Sequence, residues 1–337
     1  MERSAMARTK VVVTDYIEAD LKWESEEMEK RGVAFEAYQL KFAPQAELIA
    51  KIRDADVVVV NMAPMTEGVI GALEQCRLII RHGIGYDNVD LKAATRKGIR
   101  VANIPDYCPD EVAEHTVALM LASWRKLFVS LEVLKESSRK GQWDFQRCYP
   151  IFKLSGKTVG IVGCGRIGSR VLQRMRGFDV NLLVCDPYLS PERRRELGIE
   201  TVYLETLLQQ SDIVTLHTSL TPETRGLIGE RQLRVMKKTA HLINTSRGPV
   251  VDAGALAQAL REGWIAGAAI DVYEKEPPDP EMELFRLDSA TLAPHLGWYS
   301  EESGWDIRSK IVEDIERFLK GQPPRFVVNK EVEELLK

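Results

Sequence analysis

Residues 157–168 read Lys-Thr-Val-Gly-Ile-Val-Gly-Cys-Gly-Arg-Ile-Gly, a short apolar strand that runs directly into Gly163, Gly165 and Gly168. A G-x-G-x-x-G spacing after a strand is the dinucleotide fingerprint of a βαβ unit, and it ties the chain to a parallel sheet. Gly163 permits the tight turn, Gly165 lets backbone approach a pyrophosphate, and Gly168 lets the following helix pack close to the strand. That helix opens at Arg166 and Ile167, so its N-terminus faces the phosphates. Residues 180–186 form the next expected strand and end in Asp186, at the distance where a carboxylate takes up the adenosine ribose hydroxyls. The ligand this predicts is NAD.

Strand-like and helical runs alternate on both sides of the fingerprint, which argues for repeated βαβ units. The first set places strands at 10–13, 33–38, 56–60, 78–80 and near Val101, and the run Val57-Val58-Val59-Val60 suits a strand buried on both faces. It carries no G-x-G-x-x-G. The second set adds strands at 212–217, 240–244, 265–272 and 290–292. The final helix, 301–320, repeats apolar residues at Trp305, Ile307, Ile311, Ile315 and Phe318 for one buried face. Sending that helix back onto the first set gives an α/β chain of two doubly wound, Rossmann-like parallel-sheet domains. A substrate domain of 1–105 plus 300–337 is expected to be interrupted by a nucleotide domain of 106–299, with the crossovers as the hinge of a cleft.

With 337 residues each domain can bury its own core. Residues 110–134 contain no breaker and read as one long helix with Asp110 as N-cap. Residues 117–124 are apolar almost all round, which implies burial on every side and a helix that joins domains or subunits. The formal charge of -4 has no basic or acidic block, which argues against nucleic acid and anionic membranes as partners and leaves a small molecule as the default. The five cysteines form no CxxC pair and read as reduced thiols. Residues 1–10 hold no apolar signal core and no long apolar segment follows, so a cytoplasmic protein is expected.

Four further clusters sit on loops after expected strands, where α/β sheets bind ligands. They are Arg81-His82-Gly83-Ile84-Gly85-Tyr86-Asp87-Asn88, Asn244-Thr245-Ser246-Arg247-Gly248, Asp271-Val272-Tyr273-Glu274-Lys275-Glu276-Pro277 and Pro294-His295-Leu296-Gly297-Trp298. In this order, with the fingerprint, they resemble the D-isomer-specific 2-hydroxyacid dehydrogenase family over nearly the whole chain. Asp186-Pro187-Tyr188-Leu189-Ser190, the stretch from His295 to Glu301 and Val328-Asn329-Lys330 resemble its C-terminal binding protein branch. Animal members of that branch are NAD(H)-binding corepressors with longer C-terminal tails, so this chain is expected to align with the dehydrogenases of the branch.

The chemistry of that family explains the residue types. Reduction of a 2-keto acid needs a hydride donor, a cation and amide donors for the carboxylate and ketone, and an acid for the forming alkoxide. Arg247 supplies the cation, with a planar fork suited to carboxylate and ketone oxygens. The loop Arg81, His82, Gly83, Ile84, Gly85 can converge backbone N–H groups on the substrate carboxylate. His295 is the candidate acid and Glu276 its partner, fixing the tautomer and stabilising the imidazolium. The resemblance also implies cofactor contacts from Thr116, His217, Thr218, Thr224, Thr245, Ser246, Asp271 and Gly297, with Asp271 on the nicotinamide carboxamide. Trp298 is read as a wall of the substrate pocket, and His115 and His241 as structural. No cluster has metal-ligand spacing, so no metal is inferred. A homodimer of an NAD-dependent enzyme is the expected form. The alternative is an NAD(H)-sensing dimeric regulator with vestigial catalysis.

Overall fold

The computed structural model describes residues 8–336, so the leading residues weighed above for a signal lie outside the description up to Arg8. The chain divides into two compact units. One is built from the residues through Tyr107 together with the stretch from Glu301 onward, and the other is Cys108–Ser300.

The first unit holds five parallel strands, β1 (Lys10–Val13), β2 (Ala34–Ala37), β3 (Val57–Val60), β4 (Leu78–Arg81) and β5 (Arg100–Ala102), in the order β2-β1-β3-β4-β5. All four valines of β3 are buried, as a central strand covered by helices on both faces requires. The order reverses between β1 and β3, the place where doubly wound sheets open a crevice at their C-terminal edge. There Asp15 ties the loops after β1 and β3 together: its carboxylate accepts the Thr14 hydroxyl at 2.6 Å and the N–H groups of Met62 and Ala63 at 2.7 and 3.1 Å.

The last long helix, Glu301–Leu319, belongs to this unit and buries Ile307, Ile311 and Ile315. Trp305 departs from the expected apolar stripe. It is half-exposed and packs on Trp23 with ring centroids 4.7 Å apart, with the Arg308 guanidinium against both rings.

The second unit holds six parallel strands, β6 (Thr158–Val162), β7 (Asn181–Cys185), β8 (Ile213–Leu216), β9 (His241–Asn244), β10 (Gly267–Ile270) and β11 (Ala290–Leu292), in the order β11-β10-β9-β8-β6-β7. Its reversal falls at β6, so the fingerprint turn occupies the switch point. Alternate residues feed two cores. Val159, Ile161, Ile213 and Ile243 face one side, and Val162, Val214, Leu216 and Leu242 the other.

The expected 110–134 helix is two helices. The first is Pro109–Trp124, capped by Cys108 with Pro109 in its first turn, and the second is Leu127–Arg139. Lys126 between them adopts a left-handed φ of 53° that ends the first helix without any glycine or proline to announce it. Asp110 is not the cap; its carboxylate takes Arg170 and Arg174 from the neighbouring helix at 3.0 Å each. Nor is the first helix buried all round, because it covers one face of the sheet and leaves Ala118 exposed. No helix among the described residues is long and apolar enough to cross a membrane.

Candidate active site

The glycine turn follows directly from β6. Gly163 adopts φ +87°, and a Cβ there would lie 2.6 Å from the His217 carbonyl oxygen. A Cβ on Gly168 would lie 2.1 Å from the Gly163 oxygen, so both glycines are demanded by the protein's own backbone. Gly165 differs: a Cβ would meet nothing within 4 Å, so protein packing does not require glycine there and open space lies over it. The buried Thr218 hydroxyl beside this turn has no hydrogen-bond partner among the described residues. Open space over the middle glycine and an orphaned buried hydroxyl fit a dinucleotide phosphate. Arg166 and Ile167 begin the helix Arg166–Met175 that points at this space.

Asp186, at the end of β7, accepts the Cys164 N–H at 2.8 Å through one oxygen and the Tyr188 N–H at 3.0 Å through the other. Each oxygen keeps a second lone pair for a hydroxyl. Thr224 braces its own loop, donating to Ser219 O at 2.6 Å and accepting from Thr221 N–H at 2.8 Å. Thr116 and Thr245 share a buried hydroxyl–hydroxyl hydrogen bond of 2.7 Å. His217 and His241 are held neutral, pushed down to about 3 and about 4 by burial. His217 sits against Thr215 Oγ1 at 3.0 Å and His241 against Ser123 Oγ at 2.7 Å.

The loop after β9 is organised by Asn244. Its Oδ1 accepts from Ser246 N–H and Oγ at 3.1 and 2.8 Å, and its Nδ2 donates to Arg247 O at 2.9 Å. The Arg247 guanidinium donates to Ser246 O at 2.9 Å. Gly248 lets this loop abut the one after β10, because a Cβ there would fall 2.0 Å from the Tyr273 carbonyl carbon.

Parallel pairing of β10 with β11 brings the last two loops together. Glu276 Oε2 lies 2.7 Å from His295 Nδ1, and Glu276 Oε1 accepts the Tyr273 N–H at 3.1 Å. Burial alone would push the Glu276 carboxyl up, but the His295 hydrogen bond and charge, the Tyr273 N–H and the Arg247 charge outweigh it and hold it below the usual carboxylate range. His295 adopts a left-handed φ of 56°, unusual for a residue with a side chain. Asp271 holds it there. The buried Asp271 carboxylate accepts the N–H groups of Leu296 and Gly297 at 2.9 Å each, fixing the backbone that follows the histidine. His115, read from the sequence as structural, places Nε2 3.2 Å from the same carboxylate. Trp298 is partly buried and meets Tyr299 edge to face at 5.2 Å.

In the first unit, the loop after β4 presents fewer donors than its sequence suggested. His82 N–H is taken by Val60 O at 2.8 Å and Gly83 N–H by Arg81 O at 2.9 Å. Those of Ile84 and Gly85 have no protein acceptor among the described residues. Gly83 has φ +145°, and the Arg81 side chain folds over it so closely that a Cβ would collide with the guanidinium. The His82 ring lies 3.2 Å from Glu18. Burial would raise the Glu18 carboxyl, yet the hydrogen bond and charge of His82 and the Ile17 N–H bring it down to about 2. Glu18 and the Asp271 clamp went unassigned in the sequence because each acts through a partner in a distant segment, and Asn244, whose partners Ser246 and Arg247 share its motif, was given no role of its own.

A glycine turn at the switch point of a doubly wound sheet, followed by a carboxylate-paired histidine, defines a dinucleotide-dependent oxidoreductase. Residues 117–297 match the model for "D-isomer specific 2-hydroxyacid dehydrogenase, NAD binding domain". The glyoxylate reductase of Korarchaeum cryptofilum is 40% identical over 290 residues, covering 85% of this chain and 86% of that protein. The D-3-phosphoglycerate dehydrogenase of Archaeoglobus fulgidus is 39% identical over 84% of this chain, which spans 53% of that longer protein. Among solved structures, D-lactate dehydrogenase from Aquifex aeolicus, complexed with NAD and lactic acid, superposes with a TM-score of 0.82 at 28% identity, covering 92% of this chain and 96% of that one. The protein belongs to the D-isomer-specific 2-hydroxyacid dehydrogenase family and is an NAD-dependent oxidoreductase of 2-hydroxy acids.

The Glu276 carboxyl is depressed in the folded state, so the stability it contributes is present above its unfolded value and is lost as pH falls through its folded value. Glu276→Gln should therefore narrow the difference in Tm between neutral and acid pH. Thermal unfolding at a series of pH values checks this; an unchanged acid limb would count against an ionised Glu276.

Proposed function

We propose that this protein reduces 2-keto acids to D-2-hydroxy acids, with His295 as the proton donor. The 2.7 Å Glu276–His295 hydrogen bond carries this reading. NADH, when bound, supplies the hydride for C2. Ile84 and Gly85 N–H groups take the substrate carboxylate, Arg247 polarises the ketone, and His295 delivers its proton to the alkoxide oxygen. Glu276 holds the ring in one tautomer and stabilises its charged form. His295→Gln should lower kcat by roughly 10²-fold or more with NADH affinity nearly unchanged. In Glu276→Gln, loss of the carboxylate destabilises the imidazolium, so reduction should be lost at a lower pH. A panel of 2-keto acids followed at the nicotinamide absorbance tests the whole reading, and silence across it would move the weight to NAD(H) sensing.

Asp186 supports selection of NADH over NADPH, because a carboxylate that accepts ribose hydroxyls repels a 2′-phosphate. Arg193, Arg194 and Arg195 are the residues that could take that phosphate; Arg193 and Arg195 are engaged with Glu196 and Glu192 of their own helix at 2.9 and 3.3 Å, and the selectivity requires Asp186 to outweigh Arg194. A kcat/KM with NADPH equal to or above that with NADH would overturn this assignment of Asp186.

Resemblance to the C-terminal binding protein branch bears on Trp298, which we place on the wall facing the substrate's substituent. A flat polarisable wall favours thioether and aromatic tails by about 0.5–1.5 kcal/mol beyond burial. Keto acids with such tails should outperform pyruvate and glyoxylate by roughly tenfold in kcat/KM. Trp298→Ala should erase the preference while sparing the smallest substrates; equal loss on every substrate would make Trp298 structural.

We further propose a cytoplasmic homodimer. The helix Leu127–Arg139 exposes Leu127 (56%), Phe128 (56%), Leu131 (47%) and Leu134 (50%), a patch that calls for cover. Light scattering should return twice the chain mass at micromolar concentration, and Leu131→Asp with Leu134→Asp should shift it toward monomer. A monomeric wild type would refute the dimer.

A further inference from the structure

A trans peptide fixes its C=O and the next residue's N–H in opposite directions, so whatever holds the carbonyl aims the amide. In the loop after β4, both free donors are aimed this way. The Gly83 carbonyl accepts the Ile104 N–H at 3.0 Å, which turns the Ile84 N–H outward. The Ile84 carbonyl accepts from Asn103 Nδ2 at 2.6 Å, which turns the Gly85 N–H outward. Asn103 and Ile104 are consecutive residues just past β5, 5% and 0% exposed, and Asn103 N–H is itself tied to Phe326 O at 3.3 Å. The brace is thus buried and anchored, and the loop it holds is partly exposed.

We propose that Asn103 is a positioning residue that aims the Ile84 and Gly85 amides at the substrate carboxylate. The residue type matters. A primary amide donates to the Ile84 carbonyl without bringing a charge, whereas a carboxylate of the same shape would repel both that carbonyl and an anionic substrate. The His82 ring, held by Glu18 at 3.2 Å, pins the other end of the same turn. This inference rests on the reading of the loop as the carboxylate site.

The experiment separates the two. Asn103→Asp and Asn103→Ala are compared in the NADH-loaded enzyme, using pyruvate as substrate and oxamate, its non-reducible isostere, as inhibitor. KM for pyruvate and Ki for oxamate should rise roughly tenfold or more, with kcat changed little and NADH affinity unchanged, and Asp should be at least as harmful as Ala. A residue that merely fills space would give the reverse order, the isosteric Asp being the milder change. That order, or an unchanged KM, overturns the proposal. Amide hydrogen exchange on the wild type tests the loop itself and needs no variant to fold. Oxamate should protect the Ile84 and Gly85 amides while leaving His82 and Gly83 as they were. Absence of protection overturns the carboxylate reading, whereas protection with an unaltered KM in both variants overturns only the role of Asn103.

Discussion

The site depends first on one buried carboxylate. Asp271 stands where β10 ends, and the parallel register with β11 sets the next loop beside it. Its two oxygens take two consecutive backbone N–H groups, those of Leu296 and Gly297, and the residue just before them is His295 in a left-handed conformation. A non-glycine residue persists there only when its surroundings over-determine it. With the backbone fixed, the imidazole keeps only its two side-chain torsions, and the Glu276 hydrogen bond restrains them. The cofactor role that family resemblance implies for Asp271 has to coexist with this clamp, since both oxygens already accept a backbone hydrogen bond.

Environment separates the histidines from one another. His217 and His241 are buried beside hydroxyls, and desolvation holds them neutral. His82, His115 and His295 each face a carboxylate, on Glu18, Asp271 and Glu276. The residue type therefore says little, and the paired acid, distant in sequence, says what each ring can do. The same division runs through the glycines. Gly163 and Gly168 answer to backbone of the protein itself, whereas a side chain at Gly165 would stand in open space.

Much of this was legible before the fold was known. The two parallel sheets, the fingerprint at a strand end and the return of the last helix to the first unit all follow from short-range patterns, apolar runs of strand length and glycines at fixed spacing. Misreadings arose where the pattern carried no mark. Lys126 breaks a helix with a residue of good helical propensity, and its left-handed turn has no glycine or proline to mark it. Asp110 looks like a cap but is drawn to two arginines on the neighbouring helix. Trp305 follows the helical period yet lies on a ring partner at the surface.

The sequence by itself determined the class of fold and the dinucleotide, which are written in residue types held at fixed local spacing, and it named the loop amides, His295 and Glu276 as candidates. Only the tertiary structure decided which groups aim them. Of four loop amides after β4, two are consumed internally and two remain, and the choice is made by carbonyls tied to Asn103 and Ile104. The Asp271 clamp and the Glu18–His82 pair are likewise contacts across many residues of chain. A hydrogen bond's direction depends on where peptide planes lie in space, and that is settled by packing, which no linear spacing records.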